Sequence, residues 1–202
     1  MMKLGHSCAA IAGARKQICP DAPLVTTMSS QMAFDMLGET HRRIDSVPLM
    51  GGAAGIGLGI ALAKPGLAVI VVDADSSLLM ELGGLVTVAH NKPRHFIHFV
   101  MNNGVQFNGI VNLPNPGSEP TCAFATMATA AGYQSARRID TMEALAAALP
   151  EVLGQPGAHF LELMVEADPR RVGPQAPQPM IPELQFVRMR HAVRSLKTAL
   201  AA

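Results

Sequence analysis

Residues 68–80 read Ala-Val-Ile-Val-Val-Asp-Ala-Asp-Ser-Ser-Leu-Leu-Met. The first five are apolar and mostly β-branched, the pattern of a parallel strand buried on both faces. Asp73-Ala74-Asp75-Ser76-Ser77 interrupts the run, and a helical stretch begins near Leu78. Asp75 is thereby expected at the carboxyl end of a strand, and Ser76-Ser77 at a helix N-terminus. Open α/β sheets bind ligands at such points, and the free N–H groups there suit phosphate. A second strand-like run, residues 95–101, ends on Asn102-Asn103-Gly104. An acidic loop and an amide loop closing adjacent strands could share one hard cation, because magnesium prefers carboxylate, amide and carbonyl oxygens.

Upstream, residues 6–18 read as a helix and residues 23–28 as a short strand leading to Ser29-Ser30 and a second helix. His41-Arg42-Arg43 reads as a loop, either a solvated charge cluster or a basic element near a bound anion. Gly51-Gly52-Ala53-Ala54-Gly55-Ile56-Gly57 opens a helix that Lys64-Pro65-Gly66 stops. This glycine turn resembles that of short-chain dehydrogenases, with Asp73 about twenty residues on, where a dinucleotide fold places its ribose acid. Three features oppose that reading. Residues 45–50 contain a proline and make a poor first strand. Tyr133 is followed four positions later by Arg137, so the Tyr-x-x-x-Lys pair is missing. Too few residues separate Asp73 from Asn102 for the elements that should intervene.

The DADSS segment and the later Asn-Asn pair are similar instead to the diphosphate-binding motif of thiamine diphosphate enzymes, and the 28 positions from Asp75 to Asn103 fit its spacing. The resemblance implies that Asp75, Asn103 and the Val105 carbonyl hold Mg2+, with Ala74, Ser76 and Ser77 completing the loop at the diphosphate. Ala74 and Ser76 stand where the motif has glycine. Pro48-Leu49-Met50-Gly51 resembles the family's Gly-Ser-Met-Gly turn, which would make Met50 the apolar wedge beneath the cofactor and the Pro48 carbonyl an acceptor for its aminopyrimidine. Ser29 and Ser30 lie where the family's first loop meets the diphosphate, a helix N-cap being the plain alternative. The likeness is greatest to sulfopyruvate and phosphonopyruvate decarboxylases, above all the beta-subunit type. It implies a thiamine diphosphate-dependent carboxy-lyase acting on a small 2-oxo acid.

In that family an activating glutamate comes from a pyrimidine-binding domain. Glu39, Glu81, Glu119, Glu143, Glu151, Glu162, Glu166 and Glu183 all fall in segments with other assignments. The expected partner is therefore a separate pyrimidine-domain (alpha) subunit in a homo- or hetero-oligomer. A non-catalytic subunit that kept the fold is the third class in play, beside the reductase. Gln106 and Asn108, in a long Asn/Gly/Pro-rich loop over residues 102–120, are candidate substrate contacts, and Arg42, Arg43 and Arg94 candidate anion contacts.

The alternation of strands and helices predicts one α/β domain over residues 1–167, a parallel sheet with helices on both faces. A proline-rich connector and a C-terminal helix follow over 168–202, packed on this domain or on a neighbouring subunit. Net charge is +1 with no basic block, which argues against nucleic acid. No apolar run approaches the roughly eighteen residues of a membrane helix. Three cysteines without metal-site spacing, and no apolar leader near the N-terminus, suit a reducing cytoplasm. His95 and His98, three apart on one strand, should point to opposite faces and read as structural.

Overall fold

The structure is a computed structural model that describes residues 1–46, 49–108, 111–114, 123–167 and 182–201. In chain order the elements are α1 (Leu4–Ile18), β1 (Leu24–Thr26), α2 (Met28–Met36), β2 (Arg43–Asp45), α3 (Gly52–Ala63) and β3 (Val69–Ala74). Then come α4 (Asp75–Met80), α5 (Gly84–Asn91), β4 (His95–Asn102), β5 (Val105–Asn108) and β6 (Val111–Pro114). The last are α6 (Phe124–Ala131), β7 (Ser135–Ile139), α7 (Met142–Gly154), β8 (Gly157–Met164) and α8 (Pro182–Ala201).

Six strands form one sheet in the order β2-β1-β3-β4-β8-β7, and every pairing is parallel. The central strands β3 and β4 are buried along their length because helices cover both faces. Ile70, Val72, Ile97 and Phe99 point to one side, where they meet Cys8 and Ile11 of α1, Phe34 of α2, and Leu145 and Leu149 of α7. Val69, Val71, Phe96 and Val100 point to the other, against Ala53 and Leu58 of α3, Leu85 of α5 and Phe124 of α6. The two-sided burial explains the unbroken apolar run at 68–72, since alternation would have marked a half-exposed strand. Among the described residues no helix is long and apolar enough to cross a membrane.

The expected fold class is the one observed, with local differences. The single helix expected over residues 78–89 is two, α4 and α5, separated at Glu81–Gly83, and α4 begins at Asp75 itself. The loop expected over 102–120 contains the antiparallel hairpin β5–β6; the described part of it stops at Pro114. Arg43 lies in no solvated loop. It is a buried residue of edge strand β2, where its guanidinium pairs with Asp35 and Asp45, so it is not available to a substrate anion. Arg42 pairs with Asp21 and donates to its carbonyl.

The C-terminal helix α8 packs along β2. Its Arg188 donates to both Asp35 oxygens and, through Nε at 2.8 Å, to Asp45. Partial burial works against the charge on Asp35, but Arg188 and Arg43 outweigh it and hold that carboxyl below its usual range. Within the chain this helix lies against β2, and the proline-rich connector leading to it falls outside the described residues.

Helix α3 approaches the sheet closely at Gly57, where an added Cβ would lie 2.4 Å from Val71 Cγ2 and 3.1 Å from Phe96 Cε2. At Gly59, on the exposed side of the same helix, a Cβ would meet nothing within 4 Å. The pair separates helix propensity from packing. Gly59→Ala should stabilise the fold by about 0.5–1 kcal/mol. Gly57→Ala should destabilise it by roughly 1–3 kcal/mol, because overpacking exceeds the same propensity gain. Denaturant midpoints of the two variants, measured side by side, check both signs.

Candidate active site

The carboxyl ends of β1, β2, β3 and β4 come together at one edge of the sheet, and the DADSS segment sits in the middle of it. Register places Ala74 beside Met101, so the next residues, Asp75 and Asn102–Asn103, follow from adjacent strand ends. Asp75 opens α4 and is 1% exposed. Its Oδ1 accepts from Ser76 N–H at 2.8 Å, and its Oδ2 accepts from Asn103 N–H at 3.0 Å and Gly104 N–H at 2.7 Å. One carboxylate thus ties the two halves of the motif together through backbone amides, bonds that a negative acceptor strengthens. Asn103 Oδ1 accepts from Val105 N–H at 3.0 Å, which turns its amide oxygen back into the same corner.

The two departures from glycine cost no backbone strain. Ala74 is extended, with φ −127°, and Ser76 is helical. At Gly51, by contrast, glycine is required twice over. Its φ is +84°, and a Cβ there would stand 2.3 Å from Glu81 Cγ. Ser77 Oγ accepts from Gly51 N–H at 2.8 Å, joining the glycine turn to α4. Met50 is in that turn and half-buried, while Pro48 lies outside the described residues. Ser30 serves α2: its hydroxyl shares its one proton between the carbonyls of Thr27 and Val72, 2.6 and 2.9 Å away, and accepts from Thr27 N–H. Ser29 is half-buried beside it, as is Gln106 in β5; Asn108 closes that strand.

Sequence reasoning passed over several polar groups at this edge. The Ser46 hydroxyl, just past β2, is buried and finds no hydrogen-bond partner among the described residues, and the Thr27 hydroxyl, just past β1, faces the Ser30 N–H in a capping box but donates to no described residue. Two unsatisfied buried donors at the ends of adjacent strands are costly unless a ligand or water meets them. Among the described residues no group of three or more His, Cys, Asp and Glu is placed to bind a metal. The oxygens gathered here are instead the Asp75 carboxylate and the Asn103 side-chain amide. These suit a hard cation held jointly with a phosphate, because each accepts through more than one lone pair.

Behind Asp75 lies a buried polar group that the strand periodicity could have revealed, since Asp73 and His98 share a face with Val71, Phe96 and Val100. Asp73 Oδ1 accepts from Ala74 N–H at 2.8 Å, and its Oδ2 stands 3.5 Å from His98 Nε2. His98 Nδ1 and the Tyr133 hydroxyl are 3.2 Å apart. The imidazole also meets the Phe160 ring edge-on, at 5.1 Å between centroids. His95 points to the opposite face, as expected of residues three apart, with Nε2 3.4 Å from the Val152 carbonyl, and burial lowers its pKa.

The model of the family described as "Thiamine pyrophosphate enzyme, C-terminal TPP binding domain" matches residues 25–163. The chain belongs to that family. It is 33% identical over 150 residues to a phosphonopyruvate decarboxylase of Streptomyces viridochromogenes, a match covering 72% of this chain and 36% of that one. It is 44% identical over 84 residues to the beta subunit of a sulfopyruvate decarboxylase of Methanocaldococcus jannaschii, covering 42% of this chain and 39% of the subunit. The chain therefore spans about a third of the length of the phosphonopyruvate decarboxylases it matches. Its fold matches benzoylformate decarboxylase from Polynucleobacter necessarius, with TM-score 0.62 and 17% identity over 82% of this chain and 34% of that one. Family membership sets the dinucleotide reading aside, and the topology agrees. The glycine turn follows edge strand β2, whereas a dinucleotide fold carries it at the switch point in mid-sheet.

Tyr133 is the sole tyrosine and is 5% exposed. Burial, with the Asp73 carboxylate adding to it, raises its pKa above the ordinary value near 10. The folded protein should keep the phenol protonated where the unfolded chain releases the proton. Its contribution to stability is thus whole below about pH 10 and declines as pH rises beyond. Ultraviolet titration of the phenolate should show no tyrosinate near pH 10 in the native protein, with normal titration in denaturant. A native titration near 10 would mean that the phenol is solvated.

Proposed function

We propose that this chain is the cofactor-diphosphate-binding part of a thiamine diphosphate- and Mg2+-dependent 2-oxo acid decarboxylase of the sulfopyruvate/phosphonopyruvate type. The observation that carries the reading is the Asp75 carboxylate bound to Asn103 and Gly104 across neighbouring strand ends. Thiamine diphosphate, when bound, supplies the nucleophilic carbon and the electron sink for loss of carbon dioxide.

The residues of this chain bind and orient. Asp75, Asn103 and the Val105 carbonyl are the proposed Mg2+ ligands. Ser76 and Ser77, with Ala74, Ser29 and Ser30, border the diphosphate, where the first turn of α4 offers N–H groups to an anion. Gly51 permits the tight turn that carries Met50 toward the organic part of the cofactor, and the Pro48 carbonyl, outside the described residues, is the proposed acceptor for the aminopyrimidine. Thr27 and Ser46 join this set, because ligand oxygens would satisfy their buried hydroxyls. Gln106 and Asn108 follow directly on the Mg2+ corner and are the proposed substrate contacts.

The pyrimidine-binding glutamate belongs, in this proposal, to a separate subunit. Supporting this, relatives named as beta subunits of sulfopyruvate decarboxylase match this chain over 84 residues at 39% and 44% identity. A cytoplasmic setting accords with free thiols at buried Cys8 and half-buried Cys19: burial raises the Cys8 pKa to about 12, which leaves it unreactive, and raises that of Cys19.

Calorimetric titration of thiamine diphosphate into the chain should show binding that needs Mg2+ and is lost in Asp75→Ala, while NADH gives no heat. Binding of equal strength without Mg2+, or unchanged in Asp75→Ala, would refute the assigned ligands. Adding a pyrimidine-domain subunit should raise 2-oxo acid decarboxylation by orders of magnitude. Full turnover by the chain alone would refute the two-subunit arrangement.

A further inference from the structure

Glu162 is a second buried acid with no part in the proposed cofactor contacts. It lies in β8, opposite Val100 of β4, and is 2% exposed. No Lys, Arg or His faces it at ion-pair distance among the described residues, so its carboxylate depends on hydrogen bonds. Oε1 accepts from the Asn102 side-chain amide at 2.8 Å, and Oε2 accepts from Ala125 N–H at 3.0 Å. Ala125 lies in the first turn of α6, where the helix has free N–H groups and no side-chain cap of its own at Ala123. A carboxylate there gains from the helix dipole as well.

These two partners are the two ends of one excursion. The chain leaves β4 at Asn102, passes through Asn103, Gly104, Val105 and Gln106, and returns to the sheet at α6. Glu162 holds the departing end with one oxygen and the returning end with the other. Asn102 precedes Asn103 and Gly104, whose N–H groups bind Asp75. The bonds thus form a continuous series from α6 through Glu162 and Asn102 to the backbone at Asp75.

We infer that Glu162 is a positioning residue: it clasps both ends of the segment between β4 and α6 and so fixes the Asn103–Gly104 backbone against Asp75. The effect on Mg2+ rests on the cofactor reading above, whereas the clasp itself can be observed without any ligand.

Amide hydrogen exchange on the full chain, compared among wild type, Glu162→Ala, Glu162→Gln and Asn102→Ala, tests the clasp. Glu162→Ala should lose roughly ten- to hundredfold protection at Ala125, Asn103 and Gly104, the scale of hydrogen bonds to a charged group. Amides in mid-β4 and mid-β8 should keep theirs. Glu162→Gln should recover most of the protection, since its carbonyl can accept from Ala125 while Asn102 turns its amide to accept from the new NH2 group. Asn102→Ala should loosen Asn103 and Gly104 and spare Ala125; it also serves if Glu162→Ala does not fold. Loss at Ala125 alone would show a helix cap and overturn the inference, as would unchanged exchange at Asn103 and Gly104 in both alanine variants.

Calorimetry then separates the two readings. Glu162→Ala should weaken Mg2+-dependent thiamine diphosphate binding by a similar factor, with Glu162→Gln restoring it. The predicted exchange pattern without any Mg2+-dependent binding in wild type would support the clasp and overturn the cofactor reading alone.

Discussion

The Asp75 carboxylate receives three backbone N–H groups from two directions, one from its own helix turn and two from the end of the next strand. Most of what is arranged at this edge depends on that junction. A buried carboxylate is costly without partners and strongly favourable with several charge-assisted ones. Satisfying Asp75 therefore requires α4 to start where it does and the chain after β4 to turn back toward β3. The corner where β3 and β4 end is thus a consequence of meeting the needs of one charge.

The parallel sheet makes the junction possible. Parallel pairing brings the carboxyl ends of β1, β2, β3 and β4 to one edge, so residues far apart in the chain arrive as neighbours. Close packing holds the edge steady. Gly57 lets α3 settle onto Val71 and Phe96, and Gly51 admits Glu81 where any side chain would collide. Behind the edge, Asp73 and His98 occupy core positions that the pleat assigns to apolar residues. Polar groups in such places restrict the arrangement more than they stabilise it. Here they adjoin the segment whose geometry matters most.

Edge strand β2 shows a different solution to a related difficulty. Such a strand presents unpaired backbone groups and a buried arginine, and α8 covers it from outside the family-matched region. Arg188 neutralises the Asp35–Asp45 pair that Arg43 alone would share, and this half-buried cluster ties α8 across the edge.

The amino-acid sequence by itself determined the strand at 68–72, the turn to a helix at Asp75, and the Asp75–Asn103 spacing. These are local properties: apolar period, β-branching, breakers and separation along the chain. It also sufficed for the class of sheet, because alternating strands and helices leave few other ways to bury so much apolar surface. Tertiary structure alone decided that Arg43 is buried rather than solvated, that Ser30 bonds Val72, and that Glu162 reaches both Asn102 and Ala125. Each depends on a partner distant in sequence, and no periodicity encodes which charge will lie across from which. Charged side chains read as solvated until a fold supplies their partners; the partners, once supplied, make burial favourable. The ligand corner was legible because its residues follow strand ends, while the groups that hold it in place were not, because they face it from other strands.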